Sequence, residues 1–353
     1  MASSHLIFLG TYTRNGSKGI YSVRLDSETG ALSTPIVAAE APDPAWVTLS
    51  PDKKYLYAIH PSGGQAIGFS VDAASGGLQA LPVEPSSTAS PPSHLAVDAT
   101  GRTLLAANYR DGYVAAMPIR PDGTLGPPQK IPHEGKGPHP TRQEKSHVHS
   151  VTVSPDNRFV LVADLGLDRI FTYALDATNA KLSAANPPFV AADPGAGPRH
   201  FKFGADGRHA YAINELGNTI VAYDYDVARG ALTPRQTVST LPADFRGANA
   251  TAEIRVHPNG RFVYGSNRGH DSIAVFAVDA ASGRLGATPI EIVPTGGKTP
   301  RNFALSPDGK WLVCAHQDTP LLTVFRVDAR TGRLARTPHT AEVPACVCVL
   351  FRD

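Results

Sequence analysis

Short apolar stretches separated by polar turns recur along the whole chain. Segments such as FVYGS (262–266) and SIAVFAV (272–278) are rich in the β-branched and aromatic residues that favour strands. No stretch offers the roughly twelve residues of helical periodicity that an amphipathic helix needs. The pattern therefore predicts an all-β protein.

Two kinds of turn repeat at a regular spacing. The first begins at residues 50, 98, 154, 204, 257 and 306, at intervals of 48 to 56 residues, as in SPDKKYLYA (50–58) and SPDGKWLVC (306–314). The second opens with Asp or Arg and ends in Leu, as in DSETGAL (26–32) and DAASGRL (279–285). Four strands per repeat at this period are typical of a β-propeller blade. The first turns barely vary, so we interpret them, His257 included, as structural.

The repeats predict seven blades in a closed ring. The chain opens on LIFLGTY (6–12), which matches the second strand of the other repeats, so the N-terminal blade lacks its innermost strand. The segment ACVCVLF (345–351) supplies that strand, and this pairing removes the open sheet edge. We therefore predict a single seven-bladed β-propeller domain over residues 1–353. Each blade has four antiparallel strands, and the C-terminal strand joins the N-terminal blade to close the ring.

Composition excludes several classes of partner. The net charge of +2 over 353 residues comes without a basic run, so nucleic acid is not expected. No stretch approaches the ~18 apolar residues of a membrane span, and no charged segment precedes the short apolar N-terminus. We expect a cytoplasmic monomer that does not bind membranes. Cys314, Cys346 and Cys348 are expected to be small buried apolar residues.

One polar segment interrupts the repeats. The stretch HEGKGPHPTRQEKSHVHS (133–150) carries four histidines and a single aliphatic residue, so most of it cannot form a core strand. Its position between the third and fourth blades places it at the mouth of the central channel. We predict a polar loop insertion at about 127–147 that covers the central cleft.

Alignment of the repeats within the chain separates conserved turns from a variable face. Positions before the first strand and after the second strand of each blade carry histidine, arginine, carboxylate and amide groups. Varied polar residues on a rigid scaffold are where function usually resides. The same positions carry few aromatic anchors apart from Trp46 and Tyr109, which favours a small anionic ligand over a protein partner.

Several motifs at this face are familiar as a group. The loop at 133–150, ADLGLDRI (163–170), AGPRHFKF (196–203), INELGNTI (213–220) and SNRGHDSI (266–273) together resemble the seven-bladed propeller lactonase family. That family includes propeller-type 6-phosphogluconolactonases and 3-carboxy-cis,cis-muconate lactonizing enzymes, and the resemblance covers essentially the whole chain. It implies a catalytic set of His149, Arg199, Glu215 and Arg268. His147 competes with His149 for the histidine role.

The residue types suit lactone hydrolysis. A neutral histidine is a natural base for activating water, and Glu215 could orient that water or act as the base itself. Arg199 and Arg268 stay protonated, so they can only hold an anionic substrate or stabilise an oxyanion. Other rim residues are predicted to bind substrate. They are His94, Asn108, Arg142, His147, Asn214, Asn267, Arg301 and Gln317.

Three functions remain open at this point. The chain could be a lactonase acting on a sugar-acid lactone, a muconate-type cycloisomerase, or a non-catalytic propeller that binds a partner. Arg142, Lys136 and Lys145 are available for a phosphorylated substrate. Ser150 is a conceivable nucleophile but stands at the start of a strand. No cofactor or metal is expected, because arginines beside Asp164, Glu215 and Glu253 would repel a cation.

Overall fold

The computed structural model describes residues 4–60, 66–72, 74–82 and 90–352. Within them the chain forms strands and no helix. The first fourteen strands are β1 Ser4–Thr11, β2 Gly19–Asp26, β3 Ile36–Glu40, β4 Val47–Leu49, β5 Tyr55–Ile59, β6 Ala66–Val71, β7 Leu78–Ala80, β8 His94–Val97, β9 Thr103–Asn108, β10 Tyr113–Pro118, β11 Gln129–Pro132, β12 Val148–Val153, β13 Phe159–Asp164 and β14 Arg169–Asp176.

The remaining strands continue the same alternation of short strand and turn. They are β15 Lys181–Ala191, β16 Pro198–Phe203, β17 His209–Asn214, β18 Thr219–Asp226, β19 Ala231–Ser239, β20 Ala250–Val256, β21 Phe262–Arg268, β22 Ser272–Ala277, β23 Glu291–Pro294, β24 Pro300–Leu305, β25 Trp311–His316, β26 Leu322–Val327, β27 Leu334–Ala341 and β28 Cys346–Phe351.

These strands form seven antiparallel sheets of four in the described part of the chain. Six sheets use four consecutive strands, and the seventh has the order β28-β1-β2-β3. The innermost strands β4, β8, β12, β16, β20, β24 and β28 contact one another in a closed circle. The predicted seven-bladed propeller is therefore confirmed, and the innermost strands surround one axial channel.

Ring closure follows the prediction from the two ends of the sequence. Strand β28 pairs antiparallel with β1, with Ile7 opposite Phe351 and Leu9 opposite Val349. Cys346 and Cys348 lie in this closing strand, and all three cysteines are buried and free of disulfides. The first and last strands of the chain thus share one sheet.

The core lies between neighbouring blades rather than in one central mass. Apolar side chains of one sheet pack on those of the next, as Leu105 and Val114 do on Val151 and Val160. Tyrosine hydroxyls add hydrogen bonds across the same interfaces: Tyr264 Oη donates to the carbonyl of Gly332 at 2.9 Å in the following blade. Tyr57 and Tyr211 make the equivalent bonds to Gly123 and Gly283. This packing holds the blades, and the residues at their ends, in fixed positions.

The conserved first turns have a structural role. Ser154 Oγ donates to Asp156 at 2.6 Å and accepts the backbone N–H of Phe159 at 2.9 Å. His257 occupies the same turn in another blade, is buried, and bonds through Nε2 to the carbonyl of Gly309 at 3.0 Å. These groups are used within their own turn or to bind the turn of the next blade, so the opposite face is where the chain can place reactive side chains.

The polar loop is shorter than its sequence suggests. Residues 129–132 form the outer strand β11, so the segment without strand structure starts at 133 and not at about 127. His133 is buried, and its two ring nitrogens lie 2.8 Å from Asp164 Oδ2 and from Tyr173 Oη. Gln143 Nε2 donates to Asp168 Oδ1 at 2.7 Å. These hydrogen bonds fix the loop on the fourth blade.

Candidate active site

A cavity of about 550 Å³ opens at the loop-bearing end of the axial channel. Its walls come from most of the blades and from the loop. They consist of Tyr12, Asp43, Ala45, Trp46, Ile59, Pro91, Pro92, Ser93, Tyr109, Arg110, Arg142, His149, Arg199, His200, Glu215, Ala250, Arg268, Arg301, Asn302 and Val347.

β-Bulges at the starts of the innermost strands direct key side chains into this cavity. In β12 the register shifts between Val148 and Ser150, so His149 is the extra residue. Arg199 in β16 and Arg301 in β24 are the extra residues at the equivalent shifts. A bulge re-aims a side chain away from the alternation of its strand. Three of the predicted site residues reach the cavity for this reason.

Glu215 is the centre of the polar cluster. It follows the end of β17, is almost fully buried, and accepts hydrogen bonds from three guanidinium groups. Arg199 Nε and Arg268 Nη2 each lie 2.9 Å from Oε2, and Arg142 Nη2 of the loop bonds to Oε1. Burial alone would raise the pKa of Glu215, but Arg268, Arg199, His149 and Arg142 outweigh it and hold the pKa well below its usual range. The carboxyl group is therefore ionised and a poor base.

Arg199 is fixed from two sides. Besides Glu215, it donates from Nη1 to the carbonyl of Ala252 at 2.6 Å and to His200 Nε2 at 3.1 Å. Because His200 accepts through Nε2, its Nδ1 carries the proton and donates to Glu253 Oε2 at 3.2 Å. Burial, with repulsion from Arg268 and Arg301, lowers the pKa of Arg199 to about 9, so the guanidinium stays charged at neutral pH.

His149 has the environment of a neutral imidazole. Burial first, and then the charge on Arg199, lower its pKa well below 6.5. Its Nδ1 is inaccessible and has no hydrogen-bond partner in the described structure, whereas Nε2 lies 3.8 Å from Glu215 Oε2. Nε2 is therefore the nitrogen available for proton transfer. A carboxylate at that distance would stabilise the imidazolium that forms.

Arg301, on the last complete blade, brings a positive charge to the cavity without a carboxylate partner among the described residues. Arg301 lies within 4.0 Å of no acidic oxygen in the described ranges and donates from Nη1 to Gln317 Oε1 at 3.3 Å. Its guanidinium also lies 5.8 Å from the ring centroid of Tyr12. Asp43 lines the cavity but accepts from the backbone N–H and hydroxyl of Thr13 at 2.8 and 3.1 Å. An anionic group bound here would meet an uncompensated cation.

Comparisons with known proteins identify the family. A family model described as "Lactonase, 7-bladed beta-propeller" matches residues 6–351. The chain belongs to the seven-bladed β-propeller lactonase family. It is 40% identical to a 6-phosphogluconolactonase of Bacillus subtilis over 304 residues, which cover 85% of each protein. A 6-phosphogluconolactonase of Formosa agariphila is 30% identical over 312 residues, covering 85% of this chain and 86% of that protein.

Solved structures give the same result for this lactonase. The periplasmic gluconolactonase of Pseudomonas aeruginosa superposes with a TM-score of 0.92 at 35% identity and covers 99% of both chains. The resemblance inferred from the loop and the GPRH and NEL motifs is thereby confirmed. Cytoplasmic location stays a prediction, since this relative is described as periplasmic, and so does the monomeric state.

The lactonase cavity excludes several residues that were predicted to bind substrate. Asn108, Asn214 and Asn267 are buried at strand ends and bond to neighbouring strand and loop groups, for example Asn267 Nδ2 to the carbonyl of Thr240 at 3.0 Å in the preceding blade. Gln317 reaches the site only through Arg301. These side chains shape the rim without lining the cavity.

The histidines divide in a similar way. His147 stacks on Tyr109, and its nitrogens lie 2.9 Å from the Tyr109 carbonyl and 3.1 Å from Glu144, outside the cavity. His94 lies deeper in the channel with its ring centroid 4.0 Å from that of Trp46. The geometry favours His149 over His147 as the reactive histidine. Ser150 is buried next to it but does not line the cavity.

Sequence reasoning missed Tyr12, Asp43 and Arg110. For Tyr12 a signal was present: LIFLGTY ends at the same repeat position as the residues after the second strand, which include Tyr109, Glu215 and Arg268. Tyr12 could have been found by extending the alignment of this repeat position into the incomplete N-terminal blade.

Metal ligands do not gather at this site. Across the described residues no group of three or more His, Cys, Asp or Glu side chains is arranged to hold a metal ion. The Asp164 carboxylate is bonded instead by His133, Ser146 and backbone N–H groups of the loop. In the part of the chain that the structure describes, no helix has the length and apolar character needed to cross a membrane.

Proposed function

We propose that this lactonase hydrolyses a sugar-acid lactone of the 6-phosphogluconolactone type. The observation that carries the proposal is the buried imidazole of His149, whose Nε2 lies 3.8 Å from Oε2 of Glu215, a carboxylate that three arginines contact. The B. subtilis relative named 6-phosphogluconolactonase supports the substrate class. The positive charge of Arg301 in the cavity wall suits a phosphate or carboxylate group on the substrate.

In the proposed reaction His149 Nε2 takes a proton from water as the oxygen attacks the lactone carbonyl. Glu215 stabilises the imidazolium, and guanidinium N–H groups stabilise the tetrahedral oxyanion. Neither Arg199 Nη2 nor Arg268 Nη1 has a hydrogen bond to a described residue, so both are available for this role. The ring C–O bond then breaks, and the leaving oxygen receives the proton from His149 to give the open hydroxy acid.

A lactone panel followed by proton release tests the proposal. We expect fast hydrolysis of 6-phosphogluconolactone above the spontaneous rate, and slower hydrolysis of unphosphorylated glucono-δ-lactone. Arg333→Ala, in an exposed ion pair with Glu291, is a matched control that should leave both rates unchanged. Inactivity on all lactones together with turnover of a carboxymuconate would instead support the cycloisomerase alternative.

A further inference from the structure

A second cavity of about 290 Å³ lies further along the axial channel, beyond Trp46 and His94. The cavity of about 550 Å³ around His149 and Glu215 is called the lactone cavity below. The innermost strands run from it toward the conserved turns of the opposite face, as β12 does before the turn at 154–158. The second cavity is lined by the later residues of these strands, so it lies on the side of those turns.

Two neighbouring cations line this second cavity. Lys202 and Arg255 occupy equivalent positions on the adjacent strands β16 and β20, and both face the same space. The equivalent positions of the other blades are uncharged. They are Thr48, Ala96, Thr152, Ala304 and Leu350.

Among the described residues one nearby carboxylate, Glu253, offsets these cations, and it is largely committed elsewhere. Glu253 Oε1 accepts the N–H of Ile254 at 3.1 Å and lies 3.6 Å from Arg255 Nε, which itself donates to the carbonyl of Phe303. Glu253 Oε2 is bonded by His200 and Asn302. The Lys202 ammonium has no hydrogen bond or ion pair with any described residue.

The charge on Lys202 therefore has no direct ion-pair partner among the described residues, and it lies in a confined space. Burial, and then repulsion from Arg255, lower the pKa of Lys202 to about 8, so the amine is still mostly protonated at neutral pH. A group of this kind is stabilised by a bound anion, and a guanidinium beside an ammonium suits the oxygens of a tetrahedral oxyanion.

We propose that Lys202 and Arg255 form a binding site for a small inorganic oxyanion such as phosphate or sulfate. This site is separate from the lactone cavity and does not depend on the proposed reaction. A bound oxyanion would neutralise the channel between blades five and six and stabilise the ring at the β16–β20 contact.

Selenate, a sulfate analogue with an anomalous scatterer, locates the site directly. In crystals soaked with selenate, we expect an anomalous peak between Lys202 Nζ and the Arg255 guanidinium. The peak should disappear in Lys202→Met crystals while any selenate in the lactone cavity remains. A channel that stays free of selenate while the lactone cavity fills, or a peak that persists in the variant, would overturn the proposal.

Unfolding by urea at increasing sulfate provides a test in solution. Sulfate stabilises most proteins by exclusion from their surface, so only the saturable part of its effect reports binding. We expect Lys202→Met to lose the share of that part that the second cavity contributes, leaving only any contribution from the lactone cavity, and to retain lactonase activity. Lys54→Met, at an exposed lysine of a conserved turn, should keep it. If Lys202→Met does not fold, Arg255→Met serves as the second variant, and equal sulfate responses in wild type and variant would contradict the proposal.

Discussion

Arg199 and Glu215 form a buried ion pair at the axial opening, with 2.9 Å between Nε and Oε2. Both side chains are almost completely removed from solvent. Removing one partner of such a buried pair strongly destabilises the folded protein, because the other charge stays buried without compensation. Here the remaining charge is shared with Arg142 and Arg268, so the cluster acts as one unit around the carboxylate.

Removing one arginine of the cluster tests oxyanion stabilisation. We expect Arg199→Ala or Arg268→Ala to lower kcat by about 10²–10³, the usual cost of losing one oxyanion donor. Steady-state kinetics on the phosphorylated lactone measures the effect, with Arg235→Ala at an exposed ion pair as control. Unchanged kinetics in both variants would refute the role.

The acidic limb of the pH profile should report His149. Burial and the charge on Arg199 lower its pKa well below 6.5, and a general base must be neutral to act. Activity is therefore full above this pKa and is lost only as the pH falls through it, at lower pH than for an unperturbed histidine. The profile of kcat/KM, corrected for spontaneous hydrolysis, measures the limb.

Two outcomes of the pH experiment separate the candidates for the base. His149→Gln should lose most of the activity, and its remaining kcat/KM should lack the acidic limb. His147→Gln should show the acidic limb at the same pH as the wild type. A limb at or above pH 6.5 in the wild type would contradict a neutral, buried His149.

Glu253→Gln tests whether the channel below the cavity positions Arg199. Glu253 holds the Nδ1–H tautomer of His200, and that tautomer lets Nε2 accept from Arg199. Loss of this arrangement should lower kcat by up to about 100-fold, the scale expected for a small misplacement of a catalytic group, with little change in KM. His339→Ala, on an outer strand, is the control. An equal rise in KM without a fall in kcat would indicate a different role.

Arg301 is expected to distinguish charged from uncharged lactones. Its guanidinium has no acidic partner among the described residues, so a substrate phosphate can take that place. A hydrogen bond to a charged group contributes about 1.5–3 kcal/mol, so Arg301→Ala should raise KM for 6-phosphogluconolactone by about 10–150-fold. The KM for glucono-δ-lactone should change little. Equal changes in KM for the two substrates would show that Arg301 does not bind the phosphate group.

Chelation should leave the enzyme active. The cavity walls carry Arg110, Arg142, Arg199, Arg268 and Arg301 against Asp43 and Glu215, an environment that repels a divalent cation. We expect the same rate of proton release with and without EDTA, and no gain on adding Ca²⁺. Loss of activity in EDTA that Ca²⁺ restores would contradict the proposed mechanism.

The fold was predictable because repetition carries the information. Six copies of one turn fixed the blade period, and the unmatched ends of the chain revealed the shared blade. The site was predictable only in part. His149, Arg199 and Arg301 were found because they share one position of the aligned repeats. The bulges that direct them into the cavity depend on the backbone register, which the sequence does not display.

The asparagines at the ends of the second strands show why the remaining site residues could not be predicted from the sequence. Asn108, Asn214 and Asn267 stand at the mouth like Glu215, and in sequence an amide that ends a strand looks the same as one that binds a ligand. Only the hydrogen bonds that these amides make to neighbouring strand and loop groups separate the two cases. The predicted start of the loop differs from the structure for a related reason. Strand β11 has only four residues and is half-exposed, so its sequence resembles that of a loop.

The shared first blade also constrains how the protein is made. Strand β1 is synthesised well before its inner neighbour β28, because six further blades lie between them along the chain. Until then the growing chain exposes an unpaired strand edge, and His149, Arg199 and Arg268 cannot be held around a finished channel. The channel can therefore be completed only after β28 has been synthesised, and until then a nascent chain has to be kept from pairing that edge with another copy.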